Sequence, residues 1–299
     1  SDFVLSISGG AATLTAGNGT APTSISASGN VYTLGIGLTG TPSGAEVLTV
    51  LPVDDGIYDA VGNESSTTQS NNTANLKDKS PATISSVAVA ANNATVAVTI
   101  NETVYNTNGG SGALERSDFS LSISGGAATL TAGNGTAPTS IVASSDDNVY
   151  TLGIGLTGTP SGAEVLTVLP VDDGIYDASG NESSTLQSNN TAKLKDKTAP
   201  AIPTALVTTP GNTQTVLNWR VNNEIDLASY KVYGGTSASP TTLLATVATG
   251  TVTYTNTSLT NGTIYYYRIS SVDNSSNESS TSSDITILPH DPTGNYGLT

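Results

Sequence analysis

The chain has 299 residues and carries 24 acidic against 9 basic side chains, a formal net charge of -15. That charge works against nucleic acid and anionic membrane surfaces, and no apolar run approaches the roughly 20 residues needed to span a bilayer. There is no cysteine, so disulfide bracing and thiolate chemistry are excluded. The single histidine, His290, lies near the end of the chain and leaves no Ser/His/Asp relay inside a domain.

Ser1 leads straight into a strand pattern with no signal peptide ahead of it, as expected of a piece of a longer secreted protein. The segment from Ser1 to Ser24 returns with one change at Ser117 to Ser140, and Val31 to Ala60 returns unchanged at Val149 to Ala178. Between them lies a two-residue insertion, Asp146 and Asp147. Near-identical tandem units favour a rod or array, where copies add reach or valency, over a single active site.

Helical periodicity is almost absent and two-residue alternation is frequent. Val96, Val98 and Ile100 share one face of a predicted strand, and Tyr150, Leu152, Ile154 and Leu156 form a predicted core row. A further strand from Glu164 is stopped by Pro170. Gly-Ile-Gly-Leu-Thr-Gly at Gly35 to Gly40 lacks a following helix and a Lys-Ser/Thr ending, so it reads as a strand passing close to its neighbour and not as a phosphate loop. Short strands punctuated by Gly/Asn/Pro turns predict β-sandwiches.

Four segments follow. Residues 1–80 form an incomplete sandwich, because nothing in them corresponds to Ile84–Arg116. Residues 81–199 form a complete one between the matching linkers at Leu76–Pro81 and Leu194–Pro200. Residues 200–289 form a third, and residues 290–299 a linker to a further module. The missing strands of the first sandwich lie upstream in a parent chain, come from another molecule by strand donation, or were removed.

The third segment places Trp219 at the end of a strand, then Tyr230-Lys231-Val232-Tyr233, then Leu259-Thr260-Asn261-Gly262-Thr263-Ile264-Tyr265-Tyr266-Tyr267-Arg268-Ile269. In these motifs it resembles a fibronectin type III domain. The resemblance implies that Trp219, Tyr230, Val232, Tyr267 and Ile269 are core and that Tyr265 is a corner tyrosine bonded to backbone. The repeats carry Val-Thr-Ile-Asn-Glu-Thr-Val-Tyr, Gly-Ala-Leu-Glu-Arg-Ser-Asp-Phe and Ile-Tyr-Asp-x-x-Gly-Asn-Glu. In these they resemble Ig-like, cadherin-like modules of large bacterial surface proteins. The expected fold class is therefore all-β: tandem Ig-like β-sandwiches plus a fibronectin type III sandwich.

The chemistry-bearing constellation is acidic. Asp172, Asp173, Asp177, Asn181 and Glu182 crowd one loop, Asp54, Asp55, Asp59, Asn63 and Glu64 repeat it, and Asp273, Asn277 and Glu278 form a looser analogue. That loop lies at the pole where the chain enters each sandwich, so the preceding linker, with Asp78 or Asp196, passes close by. Ca²⁺ takes six to eight oxygen ligands in irregular geometry. The candidate ligands are Asp196, Asp226, Asp273 and Asn277 at one junction and Asp78, Asp177 and Asn181 at the other, with Glu102 or Asn106 as further donors. The competing reading is a plain Asp-x-x-Gly-Asn turn, in which Asp accepts backbone hydrogen bonds and Gly supplies positive φ.

These features predict no catalysis. The expected role is a structural extender in a secreted or cell-surface bacterial protein, such as an adhesin stalk with Ca²⁺-stiffened junctions. The alternative is a glycan- or protein-binding accessory module of a secreted polysaccharide-degrading enzyme. The expected partners are neighbouring domains of the same chain, a glycan or protein ligand, or copies assembled by strand donation into fibres.

Overall fold

The computed structural model describes residues 1–146 and 148–291. Residues 292–299, most of the expected terminal linker, and Asp147 lie outside the described residues. The chain is all-β; among the described residues its one helical element is the 3-10 turn Arg116–Asp118. Cα packing divides it into two compact units. The first takes Ser1–Ile123, Leu130–Gly155 and Leu166–Ala192; the second takes Ser124–Thr129, Leu156–Val165 and the chain from Lys193 onward.

In the first unit, strand Phe3–Ser8 pairs antiparallel with Val47–Pro52, which pairs with Thr73–Asn75. Strand Ile25–Ser28 forms a two-stranded ribbon with Val31–Leu34. The second repeat places its copy of that ribbon inside a larger sheet, ordered Ile141–Ala143, Val149–Gly153, Thr95–Ile100, Ile84–Val89. Alternation decides which side chains go inside. Val96, Val98 and Ile100 are buried while Thr95, Ala97 and Thr99 are half-exposed. Tyr150, Leu152 and Ile154 are buried beside them, and Leu156 is half-buried. The close strand approach expected at the glycines is present: a Cβ on Gly153 would lie 2.3 Å from Thr139 Oγ1.

The second unit contains a three-plus-four sandwich. One sheet is ordered Val207–Gly211, Gln214–Asn218, Thr253–Thr257. The other is ordered Leu243–Ala248, Leu227–Gly235, Tyr265–Asp273, Ile285–Ile287. This is the strand arrangement of a fibronectin type III sandwich. Its core holds Leu217, Trp219, Tyr230, Val232, Tyr267 and Ile269. The Trp219 and Tyr230 rings meet edge to face at 5.3 Å, a favoured quadrupole arrangement. Tyr265 fills the corner role: its hydroxyl accepts a hydrogen bond from the Thr260 backbone N–H at 3.1 Å.

Glu164, read from sequence as the start of a strand, is fully buried. Its Oε1 accepts from the N–H groups of Ala127 (2.8 Å) and Ala128 (3.0 Å), and its Oε2 from Ser161 N–H (2.9 Å). The carboxylate thus ties down the Gly125-Gly126 turn. Gly126 has φ +59°, and a Cβ there would lie 2.1 Å from the carboxyl carbon. Glu46 does the same for Gly9-Gly10. Hydrogen bonding to the ionised form favours ionisation. Burial alone would raise Glu164, but the N–H groups of Ala128, Ala127 and Ser161 outweigh it and lower the pKa. For Glu46 the Ala12 N–H contributes most, and its pKa falls to about 2.

Such a depressed carboxylate stabilises the fold above its unfolded value of 4.5, and that stabilisation fades as pH falls through the folded value. Glu164→Gln should therefore lower the urea midpoint at neutral pH, and the gap to the parent chain should close on acidification well below pH 4.5. Urea unfolding across that range checks it.

Candidate metal centres

The acidic loops form one recurring turn. Asp177 Oδ1 accepts from the N–H groups of Ser179 (2.8 Å) and Asn181 (2.9 Å), and Asp177 Oδ2 accepts from Asn181 Nδ2 (2.7 Å). Asp59 is bound in the same way by Val61 N–H, Asn63 N–H and Asn63 Nδ2. In the fibronectin-type sandwich, Asp273 accepts from Asn277 N–H and Nδ2, both at 2.8 Å. The left-handed position is Gly180 in the second repeat (φ +82°) and Ser276 in the third module (φ +68°). So the turn expected from Asp-x-x-Gly-Asn is present, and it recurs in the third module without the glycine.

The turn does not by itself account for what surrounds it. In the first unit, Asp78, Glu102 and Asp177 each bring one carboxylate oxygen within 4.8 Å of the other two. In the second unit, Asp196, Asp226 and Asp273 do the same. Asp177 and Asp273 are buried and the other four half-buried. These are the carboxylates the sequence selects, with Glu102 joining the first trio. Two unit charges at this separation repel by about 3 kcal/mol at an effective dielectric near 20. Glu102 registers that cost: burial first, then the charges of Asp177 and Asp78, raise its pKa.

Asn181 and Asn277 sit at these trios with their amide nitrogens toward the carboxylates. Asn181 Nδ2 donates to Asp177 Oδ2 and, at 3.3 Å, to the Asp78 carbonyl. Asn277 Nδ2 donates to Asp273 Oδ2. Through these bonds they orient the buried carboxylates. The Asn106 side chain lies over Gly112.

The linkers supply the third carboxylate in a fixed position. Leu194 N–H bonds to Glu164 O (3.0 Å) and Lys197 N–H to Pro160 O (2.8 Å), which leaves Asp196 between two anchored residues. Asp196 Oδ1 then accepts from Thr198 N–H. Leu76, Lys79, Asp78 and Ser80 repeat the pattern in the first unit. The first repeat provides an internal contrast. Asp59 is exposed where Asp177 is buried.

The remaining loop acids close turns. Tyr176 donates to Asp173 Oδ1 at 2.8 Å, which pushes the phenol up to about 12, and Glu182 accepts Asp173 N–H at 2.7 Å. Glu278 gathers Tyr233, Ser270 and Lys231. His290 Nδ1 lies 3.2 Å from the Leu288 carbonyl. No helix among the described residues is long and apolar enough to cross a membrane.

No family model matches the sequence. About a third of the chain resembles segments of two curated proteins. It is 36% identical over 104 residues to an amylopullulanase of Thermoanaerobacterium saccharolyticum, covering 34% of this chain and 8% of that protein. It is 37% identical over 100 residues to an amylopullulanase of Thermoanaerobacter thermohydrosulfuricus, covering 32% of this chain and 6% of that protein. The aligned segments thus span less than a tenth of either relative. Among solved structures, an Fn3-like protein from Clostridium thermocellum is 30% identical, covering 33% of this chain and all of that one, with a TM-score of 0.28.

Because ionised Glu102 is held against two other carboxylates, its raised pKa means that ionisation costs stability above the folded value and protonation relieves that cost. In chelator at neutral pH, Glu102→Gln should therefore raise the melting midpoint. The gain should shrink as pH falls through the folded pKa of Glu102. Melts of both proteins over that range check it.

Proposed function

We propose that this chain is a non-catalytic accessory segment of a polysaccharide-degrading enzyme that works outside the cell. Its β-sandwiches space or position a catalytic module elsewhere in the same polypeptide. The observation that carries this reading is the 36–37% identity to segments of two amylopullulanases. It moves the weight from an adhesin stalk, which rests on the tandem repeat alone, to the accessory-module alternative. A passive role also fits the aromatic surface: the exposed large aromatics among the described residues are Tyr32 and Tyr58, and neither sits on a flat platform of rings.

An antibody against this chain separates the two readings. Depletion of culture supernatant should remove starch- and pullulan-hydrolysing activity together with the antigen, while the isolated chain releases no reducing ends from either glucan. Activity that stays in solution after the antigen is gone, with the antigen confined to the cell wall, returns the chain to the stalk reading. Reducing-end release by the chain itself removes the non-catalytic assignment.

Within this role each carboxylate trio is a Ca²⁺ site that locks a linker to the module after it. Asp78, Glu102 and Asp177 serve one site and Asp196, Asp226 and Asp273 the other, with Asn181 and Asn277 holding the buried aspartates in place. Three converging carboxylates, one fully buried, match the hard-oxygen preference of Ca²⁺, and waters or backbone carbonyls complete the shell. An ion held at a hundred times its dissociation constant adds about 2.7 kcal/mol. For a domain of this size that raises the midpoint by roughly 10–20 °C. Calorimetric melts with Ca²⁺ and with chelator should differ by a shift of that order, and Asp273→Asn should abolish the part belonging to the second unit. Superimposable melts would sink the assignment.

A further inference from the structure

Four asparagines in the chain are followed by glycine: Asn18, Asn108, Asn134 and Asn261. Such a pair carries its own reaction. The glycine backbone nitrogen gives up its proton to hydroxide and attacks the asparagine Cγ. The N–Cγ bond forms, the Cγ–Nδ2 bond breaks and ammonia leaves. Water then opens the five-membered imide. Cleavage at Cγ leaves aspartate; cleavage at the backbone carbonyl leaves an isoaspartyl link that runs through Cγ. Glycine favours the first step because no Cβ shields its nitrogen. The folded chain decides which pair is free to react.

Three of the four are held at both reacting groups. Asn18 Oδ1 accepts from Ile7 N–H (2.8 Å), its Nδ2 donates to the Ile7 carbonyl (2.9 Å), and Gly19 N–H donates to the Leu5 carbonyl (2.9 Å). Asn134 and Gly135 make the same bonds to Ile123 and Leu121. Asn261 accepts from Thr213 N–H and donates to Asn212 Oδ1, and Gly262 N–H donates to the Pro289 carbonyl. Asn108 differs. It and Gly109 are both exposed. Among the described residues neither the Asn108 side chain nor Gly109 N–H has a hydrogen-bond partner. A Cβ on Gly109 would meet nothing within 4 Å, so there is room for the ring to close. The pair rides at the tip of a turn closed by Gly110 N–H to the Thr107 carbonyl (3.3 Å) and by Thr107 Oγ1 to the Ser111 carbonyl (2.7 Å).

The geometry points to Asn108-Gly109 as a modification site, at which the folded chain deamidates itself to aspartate and isoaspartate while its three sister pairs are spared. The consequence reaches the acidic turn. The Asn108 carbonyl oxygen would lie 2.4 Å from a Cβ on Gly180, and the Ala178 carbonyl oxygen 3.0 Å from a Cβ on Gly110, so the tip packs directly on the loop that Asp177 closes. In the isoaspartyl form the Asn108 carbonyl becomes a free carboxylate and the backbone gains a methylene. A new negative charge and a longer tip then press on Ala178-Ser179-Gly180. That stretch lies between Asp177 and Asn181, whose mutual hydrogen bonds hold the turn. The site rests on neither the accessory-module reading nor the Ca²⁺ reading.

The test incubates the full chain at mildly alkaline pH, folded and in urea. Each asparagine is followed by peptide mass spectrometry, with isoaspartate scored by enzymatic methyl transfer. The hydrogen bonds at a held pair correspond to roughly 30-fold in rate. In the folded chain Asn108 should therefore outpace Asn18, Asn134 and Asn261 by about that factor or more. In urea the four rates should converge. Gly109→Ala should slow Asn108 alone. The fraction carrying isoaspartate at position 108, separated by chromatography, should melt below fresh protein. Asn108→Asp, which adds the charge without lengthening the backbone, should melt above that fraction. Equal rates for the four pairs in the folded chain overturn the inference, as does Asn108 still intact once the unfolded chain has converted. An isoaspartyl fraction that melts with fresh protein removes the link to the acidic turn.

Discussion

The linker hydrogen bonds, Lys197 N–H to Pro160 O and Leu194 N–H to Glu164 O, are the constraint on which the candidate sites depend. They continue the last strand of a repeat past its nominal end, so the linker is held by the repeat it leaves. Asp196 then has one place to go. Its carboxylate meets Asp226 and Asp273, a meeting that would cost energy for nothing if the linker were slack. The same pair of bonds, Lys79 to Pro42 and Leu76 to Glu46, positions Asp78. Glu46 and Glu164 secure the other side of this arrangement, since each offers its backbone carbonyl to the linker and its carboxylate to a Gly-Gly turn.

Duplication makes the chain its own control. One sequence, Val-Tyr-Thr-Leu-Gly, is a buried inner strand in one copy and an exposed edge in the other. Intrinsic preference is identical in the two, so the burial of Tyr150 is due to the neighbouring strand Thr95–Ile100. Asp59 and Asp177 make the same point for charge. Both close the same turn through the same hydrogen bonds, but Asp177 is buried among other carboxylates and Asp59 faces solvent.

Much of this was legible in the sequence, and the reasons are specific. Val96, Val98 and Ile100 announce a strand because alternation at period two has one meaning when turns bound it. Trp219 and Tyr265 announce the third sandwich because their motifs resemble those of fibronectin type III domains, which imply a core tryptophan and a corner tyrosine. Asp196, Asp226 and Asp273 could be grouped because an Ig-type topology brings a linker, an early loop and a late loop to one pole. Glu164 was not legible. It precedes a strand of alternating character, and only the three N–H groups converging on it from two loops reveal a buried carboxylate. Nor were the hydrogen bonds that Asn181 and Asn277 donate to the buried aspartates, since composition cannot say how an amide is turned.

The plain-turn and metal readings of the acidic loop were competing expectations, and both draw on the carboxylate of Asp177. The turn uses both oxygens of Asp177 as acceptors from Ser179 and Asn181. Carboxylate oxygens have about two acceptor sites each, so these three bonds leave about one site open, on Oδ2. A turn alone needs only the aspartate, the asparagine and a residue tolerant of positive φ, and Asp59 shows that such a turn forms in solvent. Burying that turn against two further acids from separate elements adds repulsion that the turn does not require, and the raised pKa of Glu102 records it. In the proposed Ca²⁺ site, the cation would offset that repulsion.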